Sequence, residues 1–189
     1  MEYVEPIRDK KQVEAMKRYL KSSNNGLRDH CMFVLGINSG LRISDLLKLK
    51  VGDVADEKLK ILERISIREK KTGKYKNFPI NNVSKKALSE YLYSRKPLLD
   101  EPLFLSQKRN HLSRGQAWTI LNQAATAVGI KENVGTHTLR KTFAYHAYQS
   151  GTDITLLQRI LNHSLPSVTL AYIGITQDQI DDVYLQIEL

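Results

Sequence analysis

THTLRKTFAYHAYQSGTDITLLQRILNHSLPSVTLAY, residues 136–172, decides the reading of this chain. His137 and Arg140 stand three apart in a helical pattern, so both side chains leave one face. Leu139, Phe143 and Ala147, with His146, mark the inward side of a helix that starts near Thr136 and stops at Gly151. Asp153 is placed to cap a second helix, ITLLQRIL, and Asn162 follows it where a left-handed residue is often needed. His163 comes next, and Pro166 opens or adjoins a third short helix that carries Tyr172. Adjacent elements thus deliver two imidazoles, a guanidinium and a phenol. These groups suit phosphate chemistry. The guanidinium fork binds nonbridging oxygens, an imidazole donates or shuttles a proton, and a phenol can attack phosphorus.

A chain of 189 residues is long enough for one domain with a real core. Its net charge of +9 and pI near 9.6 ask for an anionic partner. Nucleic acid is the usual one, and a solubilising basic surface is the other reading. The single cysteine, Cys31, lies in the apolar run CMFVLGI. It excludes an intramolecular disulfide and a cysteine zinc set, and reads as a buried thiol. No apolar run is long enough for a spanning helix, and MEYVEPIRDK lacks the pattern of a signal peptide. A reducing cytoplasm is the expected setting.

Upstream, Asp9 can cap a helix with Val13, Met16 and Leu20 on one face and a basic opposite side. A second helix, from about Leu27 to Ser39, is apolar on most sides and should be buried, with Gly40 ending it. In GLRISDLLKLK, Ser44 can cap a short helix, and Arg42 sits just before that cap. Asp45 could hold the Arg42 fork or simply favour the helix start. Residues 58–80 read as strands: KLKILE, RISIRE and YKNFPI alternate apolar and polar side chains. The turn KKTGK puts Lys70, Lys71 and Lys74 at a hairpin tip, either as a solvated end or as a lysine brought into a site by a mobile loop. Ser84 opens the next helix, and Ser113 caps another in which Trp118, Leu121 and Ala125 look like core. Thr176 caps a last helix with Ile180, Val183, Tyr184 and Ile187 as an apolar stripe. The fold class is mainly α with one small antiparallel sheet, in the order helices, sheet, helices.

Several of these segments, in this order, resemble the tyrosine recombinases, the phage-integrase family of site-specific DNA recombinases. The resemblance runs from about Lys11 to the C-terminus. GLRISDLLKL resembles the segment with the first catalytic arginine, which would be Arg42. KKTGK resembles the lysine loop, with Lys71 the best match. HTLRKTFA resembles the His-x-x-Arg segment, His137 and Arg140. LNHSLPSVTLAY resembles the second-histidine and tyrosine segment, His163 and Tyr172. Asn162 departs from the pattern, standing where the family usually has glycine. Residues 1–189 are expected to be a single catalytic domain, without the N-terminal helical DNA-binding domain that family members usually carry.

The resemblance implies strand transfer on double-stranded DNA through a covalent 3′-phosphotyrosine. Tyr172 would attack a phosphodiester, Arg42 and Arg140 would hold its nonbridging oxygens, and His163 would add a hydrogen bond. His137 would accept the phenol proton and Lys71 would protonate the leaving 5′-oxygen. Phosphodiester exchange needs no metal and no nucleotide cofactor. The last helix, 176–189, would pack on its own domain or on a neighbouring copy on DNA. A bacterial or phage-encoded mobile-element enzyme is the expected setting. Two other readings use the same residues: a DNA-binding regulator that does not complete recombination, and an enzyme that nicks and reseals DNA. His30 and His111 read as surface or packing residues, and no metal-ligand spacing is present.

Overall fold

The computed structural model describes residues 4–174 together with 184 and 185. Its centre is a helix that water barely reaches. Helix α2 (Gly26–Ser39) buries Cys31, Met32, Phe33, Val34 and Leu35, and packs against α1 (Lys10–Ser22), α4 (Asn82–Arg95) and α6 (Thr138–Gln149). The apolar run that wraps CMFVLGI leaves α2 no polar face, so neighbours must cover it on several sides. Asp9 caps α1 through the Lys11 N–H, and the expected Val13, Met16 and Leu20 face is buried. Gly40 ends α2 at φ 59°, a left-handed turn that glycine adopts without steric cost.

Between the helices lies one hairpin. Strands β1 (Arg64–Arg68) and β2 (Tyr75–Pro79) pair antiparallel, with Ile67 opposite Lys76 and Ile65 opposite Phe78. KLKILE does not form the third strand expected of it. Ile61 makes a single bridge to Ala55, and Leu59 sits at φ 58°, which breaks the extended run. Two expected caps also move. Arg42, not Ser44, occupies the cap position of the one-turn α3 (Ile43–Leu46), and Asn81, not Ser84, caps α4 by accepting the Ser84 N–H. Ser113 does cap α5 (Arg114–Ala127), in a reciprocal box with Gln116. Its Trp118 is half exposed rather than core, whereas Leu121 and Ala125 are buried as expected.

The last three helices make a corner of their own. Asp153 caps α7 (Ile154–Leu161) through the Thr155 and Leu156 N–H groups, and Asn162 ends it at φ 51°. Pro166 starts α8 (Pro166–Ile173), where its missing N–H is no loss. Ala144, Leu161 and Ile173 form a second apolar cluster, with Phe143 and Tyr172 packed on it. That cluster fixes α8, and so Tyr172, against α6. The expected helix over 176–189 lies outside the described residues apart from 184 and 185.

Candidate active site

The site forms where helix ends meet. Arg140 bridges the C-terminal ends of α2 and α7. Its Nη1 donates to Gly40 O at 2.6 Å and its Nη2 donates to Leu161 O. The side chain comes from the first turn of α6 and is buried. A buried guanidinium is costly in isolation. Here the negative ends of two helix dipoles face it, and both carbonyls would otherwise lack helical partners. Lys76 adds a second cation at the α2 end, with its Nζ 3.5 Å from Ser39 O. Burial, and the charge of Arg140 next to it, bring the Lys76 ammonium down to about 8.

Arg42 enters from the other side, at the cap of α3. Its Nη1 lies 2.8 Å from Glu69 Oε2, and the Glu69 side chain is fully enclosed. The N–H is not aimed along this contact, so charge more than hydrogen bonding holds the pair. Burial alone would raise the Glu69 carboxyl. The Thr72 hydroxyl, the Arg42 guanidinium alongside and a hydrogen bond from Asn162 overcome that and hold it below its ordinary value. Asp45 does not hold Arg42. Its Oδ1 accepts the Lys70 N–H at 3.1 Å and so pins the foot of the hairpin turn.

His163 and Tyr172 complete the cluster. Their rings meet edge to face, with centroids 4.9 Å apart. His163 Nδ1 is 3.0 Å from the Thr169 hydroxyl, which leaves Nε2 as the atom available to a ligand. Burial, then the charges of Arg140 and Arg42, push the imidazole down to about 4, so it is neutral near pH 7. The Lys141 Nζ stands 5.2 Å from the centre of the Tyr172 ring. The Tyr172 hydroxyl is buried. Arg140 is near it but too poorly aligned for a hydrogen bond, and none other is made among the described residues. Burial raises the phenol above its ordinary value, and the pull of Arg140 and Arg42 does not reverse that. The phenol is therefore protonated at neutral pH.

Two expected site residues are exposed rather than enclosed. His137 is largely exposed at the cap of α6; partial desolvation of its ring and the charges of Arg114, Arg140, Lys141 and Arg42 lower its pKa. Lys71 is exposed on the β1–β2 turn. The structure instead brings in two residues that were not singled out, Glu69 and Lys76. The alternation carried a signal for both. Glu69 continues the face of buried Ile65 and partly buried Ile67, and Lys76 shares the face of Phe78 and Ile80. A charge on the apolar side of a strand needs a partner: Glu69 has Arg42, Thr72 and Asn162, and Lys76 has Ser39 O and the Phe78 ring.

Several known proteins share this arrangement of elements. The Phage integrase family model matches residues 8–178. A probable integrase/recombinase, YoeC of Bacillus subtilis, is 46% identical over 179 residues, covering 94% of this chain and 93% of its own. The tyrosine recombinase XerD of Corynebacterium glutamicum is 33% identical over 164 residues, but this chain spans only 52% of that protein. Among solved structures, XerA recombinase superposes with a TM-score of 0.77 at 23% identity, covering 98% of this chain and 65% of that one. A post-cleavage complex of XerH recombinase with its palindromic difH substrate gives a TM-score of 0.77 at 21% identity, covering 98% of this chain and 54% of that one.

Proposed function

The chain belongs to the phage integrase family, with the fold of a tyrosine recombinase catalytic domain, and from that premise we propose that it cuts and rejoins DNA strands through a covalent 3′-phosphotyrosine on Tyr172. The observation that carries this reading is the buried Tyr172 hydroxyl beside Arg140, Arg42 and His163. A pure DNA-binding module has no use for a phenol buried next to two arginines.

In the proposed step the Tyr172 oxygen attacks phosphorus, a new O–P bond forms, and the bond to the 5′-oxygen breaks. Arg140 and Arg42 hold the nonbridging oxygens where charge accumulates. For Arg42 this means turning part of its fork from Glu69 to phosphate. His163 Nε2 contributes a hydrogen bond. His137, at the exposed mouth, accepts the phenol proton, which the raised pKa keeps in place until a base takes it. Lys71 protonates the departing 5′-oxygen from its exposed turn, and movement of that turn would gate the step. A 5′-hydroxyl then reverses the attack.

The proposed partner is double-stranded DNA, in keeping with the net charge of +9. Residues 1–189 act as one catalytic domain, and 176–189 link copies on DNA. A bacterial or phage-encoded protein is the natural setting; no described helix is long and apolar enough to cross a membrane.

The test uses a randomised duplex library with one nick in each strand pair, selected for binding at low salt and incubated without added metal. A denaturation-resistant protein–DNA adduct that Tyr172→Phe abolishes is the expected result. Binding without an adduct would point to a regulator. An adduct that persists in Tyr172→Phe would assign the nucleophile elsewhere, with Tyr184 next to test.

A further inference from the structure

One carboxylate oxygen is the meeting point of three chain segments. Glu69 Oε2 lies 2.8 Å from Arg42 Nη1, accepts the Thr72 hydroxyl at 2.7 Å and accepts Asn162 Nδ2 at 2.9 Å. Arg42 belongs to the start of α3, Thr72 to the turn that carries Lys71, and Asn162 to the α7–α8 corner that carries His163. Glu69 also ties the turn through its backbone: its carbonyl accepts the Gly73 N–H and its N–H donates to Lys74 O, both at 2.9 Å. The side chain is enclosed, and its other oxygen, Oε1, is buried with no hydrogen-bond partner among the described residues.

This is a poor way to gain stability. A carboxylate out of water with a bare oxygen loses solvation that its partners only partly restore. It is a good way to fix geometry, because each partner is held at one point relative to the other two. Asn162 has a matching double role. At φ 51° it makes the left-handed turn that glycine would make, but glycine would lack the amide that reaches Glu69.

We propose that Glu69 and Asn162 form a positioning relay, setting Arg42 and the Lys71 turn relative to the helix corner that bears His163. The proposal rests on the functional reading above for its catalytic consequence, though not for its structural one. Neither residue touches the reacting atoms. With phosphate in the site, part of the Arg42 fork turns to it while Glu69 keeps the rest of the guanidinium in line. Through Asn162 the corner stays in register with the turn.

The experiment is a double-mutant cycle of Asn162→Gly and Glu69→Gln on the full chain, read in two ways. The first is amide hydrogen exchange of Lys70–Lys74 in the free protein. The second is the rate of adduct formation at saturating selected nicked duplex, with the dissociation constant measured separately. Asn162→Gly keeps the left-handed backbone, so it remains informative if Glu69→Gln folds poorly. The expected result is faster exchange at the turn in both variants. Adduct formation falls about tenfold in Asn162→Gly with DNA affinity within about twofold, and the double variant is no slower than Glu69→Gln alone. Unchanged exchange in Asn162→Gly, or single effects that simply add in the double variant, would overturn the relay. Absence of any adduct from the unmodified protein would instead strike at the proposed function, while the exchange arm still judges the relay.

Discussion

Lys76→Met should make this protein more stable at neutral pH and worse at its chemistry. The Lys76 ammonium is pushed down to about 8 from its ordinary 10.5 by burial and by the Arg140 charge, with Arg42 adding to both. The unfolded chain binds that proton more tightly than the folded one, so stability rises with pH from about 8 to 10.5 and the full cost is present below pH 8. A displacement of this size corresponds to about 3 kcal/mol. Methionine has a similar length and no charge, and it gives up the long contact to Ser39 O at 3.5 Å and the placement of Nζ 5.4 Å from the Phe78 ring centre. The assay is urea denaturation of the unmodified chain and Lys76→Met at several values between pH 7 and pH 10. The variant should lead by roughly 2–3 kcal/mol at pH 7, and the gap should close as pH rises. Adduct formation by the variant should drop, because a cation beside the two arginines proposed to hold the phosphate is gone. A variant no more stable at pH 7, or a gap that does not change with pH, would refute the placement of Lys76 as a buried charge.

Gly40→Ala should cost about 2 kcal/mol or more: the left-handed turn strains any Cβ, and this one would lie 2.7 Å from the Phe143 ring. Because Gly40 O also receives Arg140, adduct formation should fall more than the melting temperature alone explains. His163 gives an acid-side signature. Its pKa falls to about 4 in the folded chain, so the unfolded state takes up the proton first, and stability should be lost as pH drops from 6.5 toward 4. The ring is half-buried, so solvent screening reduces the effect to roughly 1–2 kcal/mol. His163→Gln should remove that slope, and an unchanged slope in denaturation between pH 4 and 7 would count against the assignment.

Sequence periodicity located most of the helices because their boundaries are set locally. Asp9, Ser113 and Asp153 cap where their short side chains can reach the next N–H groups. Gly40 and Asn162 stop helices because each tolerates a left-handed backbone. The failures have local competitors. Asn81 lies three residues before Ser84 and took the cap. Trp118 fell on the helix turn facing outward, which its apolar character alone could not reveal. KLKILE alternates like a strand but has no neighbour to pair with beyond one bridge.

The sequence alone determined most of the elements, the family resemblance and the set of chemical groups: two arginines, histidines, a lysine turn and a tyrosine. These are written in short motifs, where side-chain type and spacing are enough. Only the tertiary structure decided which of them meet. Arg140 is fixed by carbonyls 100 and 21 positions away, and Glu69 by an amide 93 positions away. Glu69 and Lys76 became part of the site, and Lys71 stayed on the rim, through packing of the hairpin against the ends of α2 and α7. Burial of a charge depends on what covers it, and covering is a long-range property that local spacing does not record.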